Sequence, residues 1–295
     1  MLRWRLLFGA AFIAALVALL WIDGAASTPG LVLLPLAFVL TILASEELLS
    51  LMAARNVRPV APIVYLGNVL IVLSGYAEVW GAVPLSNLGW PMATFGLAIL
   101  ALFVGEMRRY EQPGATLEPL AGGTLALSYV GVLFSFVVQM RLLGPNGDWG
   151  IAAVASLVIV VKMGDTGAYT IGRLIGRHKL TPKLSPGKTI EGALGGLAFS
   201  VVGAWFCATF LVPKLTAATT SAPPRALWGW AGYGIVVGLA GILGDLAESL
   251  LKRDAGRKDS STWMPGFGGV LDMLDSVLLA APVAYLFWRF EIVRP

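Results

Sequence analysis

With a single cysteine, Cys207, in 295 residues, the chain has no disulfide framework and no cysteine-based metal site. Charge is scarce as well. Asp, Glu, Lys and Arg make up 13% of the residues and hydrophobic types 57%, far from the roughly one quarter charged of a soluble globular chain. No polar stretch is left for a soluble domain. A Walker phosphate loop is also missing, because Pro182 stands where the pattern ending in Gly187-Lys188-Thr189 needs glycine. Nor is there an inverted repeat with paired broken helices, which argues against a transporter.

What the sequence does contain is apolar runs of about 20 residues, each long enough to cross a hydrocarbon core of roughly 30 Å. They predict an all-α, polytopic integral membrane protein with about nine transmembrane helices, near residues 5–22, 31–53, 62–81, 89–105, 119–140, 150–172, 191–213, 227–251 and 269–290. Arg3 and Arg5 ahead of the first run resemble the start of a secretory signal, but the run is long for one and reads as an uncleaved anchor. Trp4, Trp21, Trp90, Trp149, Trp228, Trp230, Trp263 and Trp288 fall near span ends, where interfacial anchors are expected. Cys207 falls inside a span and reads as packing. The expected organisation is an N-terminal region, 1–150, holding spans 1–5, and a C-terminal catalytic region, 151–295, holding spans 6–9 and two motif loops.

Basic residues set the orientation. With the N-terminus cytoplasmic, Arg3, Arg5, Arg55, Arg58, Arg108, Arg109 and the basic residues of segments 173–188 and 252–258 share the cytoplasmic side. The other side receives only Arg141, Lys214, Arg225, Arg289 and Arg294, as the positive-inside rule requires. The two most basic loops then lie on the face where nucleotides are found.

Carboxylates inside apolar helices are the strongest local signal. On insertion scales each costs about 2.5–3.5 kcal/mol at a helix centre. Asp165, Asp245, Glu248, Asp272 and Asp275 fall in or at the ends of spans 6, 8 and 9. Residues three or four apart share a helix face, so Gly238, Gly241, Asp245, Glu248 and Lys252 form one stripe, Lys162, Asp165 and Tyr169 another, and Asp272 and Asp275 a third. Such carboxylates suit a hard divalent cation that shares its ligands with substrate phosphates. Ion pairing that only fixes helix packing is the plainer alternative. Glu46, Glu47 and Glu78 also lie in predicted spans and are left without a role.

Two loops carry motifs. The first reads Leu184-Ser185-Pro186-Gly187-Lys188-Thr189-Ile190-Glu191-Gly192, a basic, hydroxyl-bearing turn leading into a helix start that favours anions. The second runs from Gly244-Asp245 through Glu248, Ser249, Lys252, Arg253, Lys258 and Asp259 to Pro265-Gly266-Phe267-Gly268-Gly269 and then Asp272 and Asp275. Together they resemble the phosphatidate cytidylyltransferase (CDP-diacylglycerol synthase) family, whose signature has the form S-x-x-K-R-x4-K-D, then Pro-Gly-His-Gly-Gly, then D-R-x-D. The upstream S-P-x-K-T-x-E-G pattern of that family matches Ser185 to Gly192. Phe267 stands in place of the usual His, and Met273 in place of the usual Arg. The motif resemblance covers residues 155–290, spans 1–5 matching only as apolar helices.

The resemblance implies an enzyme of phospholipid biosynthesis that transfers cytidylyl from CTP to phosphatidic acid, giving CDP-diacylglycerol and pyrophosphate. It implies Asp245 and Asp272 as ligands of Mg²⁺, with room for a second, monovalent cation. Glu248 is expected as a further metal ligand, and Asp275, Asp165 and Lys252 as further catalytic groups. Ser185, Lys188, Thr189, Glu191, Ser249, Arg253, Lys258 and Asp259 are expected to bind substrate. The lipid phosphate is already anionic, so no strong general base is needed. The expected partners are CTP, phosphatidic acid in the bilayer and surrounding lipids, with no nucleic acid, and a homodimer is a further expectation. The expected place is the bacterial inner membrane, with the motif loops in the cytoplasm. The alternatives are a CTP-dependent enzyme acting on an ether-lipid phosphate or a polyprenol, a transporter, or a non-catalytic membrane protein.

Overall fold

The computed structural model describes residues 14–85, 88–216, 224–261 and 268–294. The start of the first predicted span and the Pro265-Gly266-Phe267 part of the glycine turn lie outside them. The described chain is helical almost throughout: α1 (Ala14–Gly24), α2 (Leu34–Ala53), α3 (Ala61–Ser74), α4 (Gly89–Arg109), α5 (Leu117–Arg141), α6 (Gly150–Ile175), α7 (Ile190–Leu215), α8 (Pro224–Asp254) and α9 (Val270–Arg289). Short π-helical turns interrupt α5 at Leu127–Val132 and α7 at Cys207–Leu211. A hairpin of β1 (Lys179–Thr181) and β2 (Ser185–Thr189) joins α6 to α7.

Among the described residues, α2, α4, α5, α6, α7, α8 and α9 are long and apolar enough to cross a membrane. The predicted span at 62–81 is shorter than expected. At 14 residues, α3 is about 21 Å long, less than the roughly 30 Å hydrocarbon thickness. It ends at Gly75, whose carbonyl accepts a hydrogen bond from Gln139 Nε2 (3.0 Å) instead of continuing a helical ladder. Turns follow it. The expected count of nine spans is therefore not reached among the described residues.

The chain divides into two compact units, one of residues 1–139 with 254–273 and one of residues 140–253 with 274–295. In the first, α3 packs on α2, α4 and α5. Gly67 lets Leu127 and Ala98 approach, and the Nδ2 of buried Asn68 donates to Ser45 Oγ at 2.8 Å, which pairs that donor inside the helix cluster.

In the second unit α6 and α7 run antiparallel. Gly164 meets Ser200, Gly167 meets Phe199 and Gly195, and Gly172 faces Gly192, small residues that allow close backbone approach. Gly234 and Gly238 of α8 press on Val201 and Ser200 of α7 in the same way. Cys207 is buried, as expected of a packing residue. Trp230 and Trp288, expected as interfacial anchors, instead form the core. Their rings meet edge to face at 5.7 Å, and Trp288 Nε1 and Tyr233 both hydrogen-bond Ser156 Oγ. Trp21 and Trp228 are largely exposed, as an interfacial role needs.

Candidate active site

In the second unit a cavity of about 450 Å³ opens between α6, α8 and the hairpin. One wall is a stripe of α6. Asp165, Tyr169 and Arg173 recur every four residues, so all three reach the cavity. Lys162 pairs with Asp165 at 3.1 Å, and Arg173 donates to the Tyr169 hydroxyl at 2.8 Å. Glycines 172, 192, 238 and 241 line the remaining surface, leaving backbone open where side chains would fill the space.

The opposite side comes from the first motif. Thr189 ends β2 and caps α7, its Oγ1 accepting from Gly192 N at 3.0 Å. Glu191, in the first turn, accepts from the backbone of Arg177 and His178 and meets His178 Nδ1 at 2.6 Å. It holds the start of the hairpin and does not line the cavity. With the hairpin anchored at both ends, Ser185, Lys188 and Thr189 line the cavity, and Lys188 Nζ lies 2.7 Å from Asp245 Oδ2 on α8. Arg253 Nε, further along α8, donates to the Leu184 carbonyl at 3.2 Å. The first motif is thus docked on the helix that begins the second.

Past Asp245, α8 buries two further ionisable groups. Glu248 is fully buried, Ser249 and Lys252 nearly so, and Glu248 and Lys252 form an ion pair of 2.5 Å one turn apart. Neither lines the cavity. Removing one partner of a buried pair strands the other charge, so Lys252→Met is expected to cost about 3–5 kcal/mol of stability, read as a lowered Tm in detergent. Asp275 is buried on α9, its carboxylate against the backbone N–H of Ser276.

The second motif continues in the first unit. Lys258 and Asp259 are exposed. Asp272, in the first turn of α9, has one carboxylate oxygen that accepts from Ser260 Oγ (2.6 Å), Ser260 N (3.0 Å) and Gly269 N (2.8 Å). Glu47, from α2, accepts from Val270 N and Leu271 N. Sequence reasoning left Glu47 without a role, and its charge in an apolar helix was the one available signal. Arg173 was likewise read only as part of a basic loop, although its spacing from Asp165 and Tyr169 places it on their stripe.

The donors around the cavity fit a hard divalent cation. Asp165 and Asp245 supply carboxylates and Ser185 and Thr189 hydroxyls, and among the described residues no sulfur or imidazole lines the wall. Among the described residues no group of three or more Asp, Glu, His or Cys side chains is gathered to hold a metal ion. A site with so few protein ligands matches the usual Mg²⁺ pattern of one or two carboxylates completed by substrate phosphates.

The chain matches the profile described as the Cytidylyltransferase family over residues 3–291. Proteins named phosphatidate cytidylyltransferase from Staphylococcus aureus strain COL and Staphylococcus saprophyticus are each 31% identical over 255 residues, covering 86% of this chain and 88% of theirs. The protein of that name from Staphylococcus epidermidis is 31% identical over 271 residues, 92% of this chain and 95% of its own. The likeness thus extends through the N-terminal helices, well beyond the 155–290 segment that carries the motifs. With motifs, cavity and full-length likeness in agreement, the chain belongs to the cytidylyltransferase family.

Proposed function

We propose that the protein transfers the cytidylyl group of CTP to phosphatidic acid in the membrane, giving CDP-diacylglycerol and pyrophosphate. A phosphatidate oxygen attacks the α-phosphorus of CTP, the bond from that phosphorus to the oxygen bridging the β-phosphorus breaks, and pyrophosphate leaves. The single observation that carries this reading is the cavity in which Lys188 meets Asp245, where the two family motifs supply a cation and a carboxylate to one space.

The chemical difficulty is to bring two polyanions together, and the residues are suited to positioning and charge neutralisation. Lys188 and Arg173 attract the triphosphate, while Ser185 and Thr189 offer hydroxyl donors beside it. Arg253, held against the hairpin, and Lys258 contact phosphate on the lipid or nucleotide, with Ser249 and Asp259 as further polar groups of that motif. Asp245 and Asp165 would hold a divalent cation, which we take to be Mg²⁺, and Asp272 would be a metal-holding carboxylate by its place in the family motif. Such a cation neutralises triphosphate charge and stabilises the leaving oxygens. Lys188, paired with Asp245, would lie within reach of a phosphate oxygen in the same cavity. The motif loops face the cytoplasm of a bacterial inner membrane, the side favoured by the basic residues, where CTP enters from water and the lipid from the bilayer.

An acceptor panel tests the assignment. Purified protein with CTP and Mg²⁺ should release pyrophosphate in step with cytidine-bearing lipid when given phosphatidic acid, and neither with diacylglycerol or a polyprenol. Release of CDP with a polyprenol would point to a kinase instead. EDTA should abolish turnover, and Mg²⁺ should restore it better than Ca²⁺, because a cavity with two carboxylates does not offer the six to eight oxygens Ca²⁺ prefers.

A further inference from the structure

We propose that Glu47, on α2, is a positioning residue for the Asp272 carboxylate, acting through Ser260 and the first turn of α9; the role rests on the reaction proposed above. Glu47 is only 5% exposed, and both its oxygens are committed to the second motif. Oε1 accepts from Val270 N at 2.9 Å, and Oε2 accepts from Leu271 N at 2.8 Å. These are first-turn N–H groups with no partner inside the helix, and burial without one would cost the full desolvation of each. An anion at this end also complements the helix dipole.

Ser260 links this cap to Asp272. Its hydroxyl lies 2.9 Å from Glu47 Oε2 and 2.6 Å from Asp272 Oδ2, while its backbone N–H and that of Gly269 donate to the same Asp272 oxygen. Asp272 is therefore held in one orientation before any ligand arrives, as supporting hydrogen bonds hold metal-ligating carboxylates elsewhere.

The two glycines of the motif follow from the same cluster. Gly268 has φ +81°, and a Cβ there would also strike the Asp272 carboxylate. At Gly269 a Cβ would collide with Glu47 Oε2 and Ser260 Oγ. The glycine pair is thus the space that the α2 carboxylate and the serine need, although Glu47 is more than 200 residues away in the chain. Glu47 touches neither substrate nor reacting atoms in this account.

The test compares the full-length wild type in detergent with Glu47→Gln, Ser260→Ala and Ser45→Ala. The last removes a hydroxyl of α2 that serves only local packing, bonding Thr41 O and Asn68. Hydrogen exchange of segment 268–273 in metal-free protein, Tm, kcat, the KM for CTP and the Mg²⁺ concentration for half-maximal transfer are measured for each. Glu47→Gln and Ser260→Ala should raise the Mg²⁺ requirement by about 10–100-fold, the range for lost supporting contacts to a metal ligand. Their 268–273 amides should exchange faster, and the KM for CTP should stay near that of wild type. Ser45→Ala should lower Tm without moving the Mg²⁺ requirement. Wild-type exchange and Mg²⁺ activation in both variants would overturn the proposal, as would activity lost only in step with Tm. If wild type itself transfers no cytidylyl group, the reaction is wrong, and the exchange result alone then decides whether Glu47 fixes the start of α9.

Discussion

Asp245→Asn is expected to lower kcat by about 10³-fold while leaving the protein folded, in line with the loss of one preorganised electrostatic partner in a catalytic site. Asparagine keeps the shape of the side chain and removes its charge. It would leave Lys188 Nζ facing a neutral amide where it now faces a carboxylate at 2.7 Å, and would remove one of the two carboxylates on the cavity wall. The Mg²⁺ concentration for half-maximal activity should rise with the fall in kcat. Lys188→Ala should also be severe, by roughly 10²-fold. Because the two side chains act on each other, the double variant should lose much less than the product of the single losses. Additive losses would mean that the pair is not a working unit. Turnover and Tm measured on all three variants distinguish chemistry from folding.

The second large effect is structural and lies one residue earlier. At Gly244 the backbone of α8 lies close against that of α9, and a Cβ there would sit 2.5 Å from Asp275 O and 2.9 Å from Ser276 Cα. Those are backbone atoms, so no rotamer change relieves the clash and α9 has to move. Overpacking of this kind costs about 1–3 kcal/mol and sometimes more. Gly244→Ala should lower Tm clearly, despite the roughly 0.5–1 kcal/mol that alanine gains over glycine in a helix. Gly244→Val should fail to accumulate as folded protein. Gly241, one turn away, is the control. Its Cβ would meet Val161 and Ser276 at 3.6–3.8 Å, ordinary contact, so Gly241→Ala should keep wild-type stability. Equal Tm loss at the two positions would contradict the packing described here.

Much of this was legible in the sequence because it is local. Lys162, Asp165 and Tyr169 share a helix face by spacing alone, as do Asp245, Glu248 and Lys252. Spacing could not say which members of a stripe meet a cavity and which are buried. Asp245 lines the cavity, while Glu248, three residues on, is enclosed with Lys252. The Lys188–Asp245 pair joins two motifs 57 residues apart and follows from how the hairpin is anchored by Thr189 and Glu191. The role of Glu47 was invisible because its partners, Val270 and Leu271, are 223 and 224 residues away. Helix lengths were legible only roughly. The apolar run at 62–81 looked like a full span, but hydropathy does not register that the ladder stops at Gly75. Trp230 and Trp288 misled for a related reason: position near a span end does not distinguish a lipid anchor from an aromatic core.

The most direct test of the central claim follows two labels at once. Detergent-purified protein is incubated with phosphatidic acid, Mg²⁺ and CTP labelled either at the α-phosphate or at the γ-phosphate. The account predicts α-label in the lipid fraction and γ-label in pyrophosphate, with both lost in Asp245→Asn. Label from the γ-phosphate in lipid, or no lipid label from a folded wild-type protein, would contradict it.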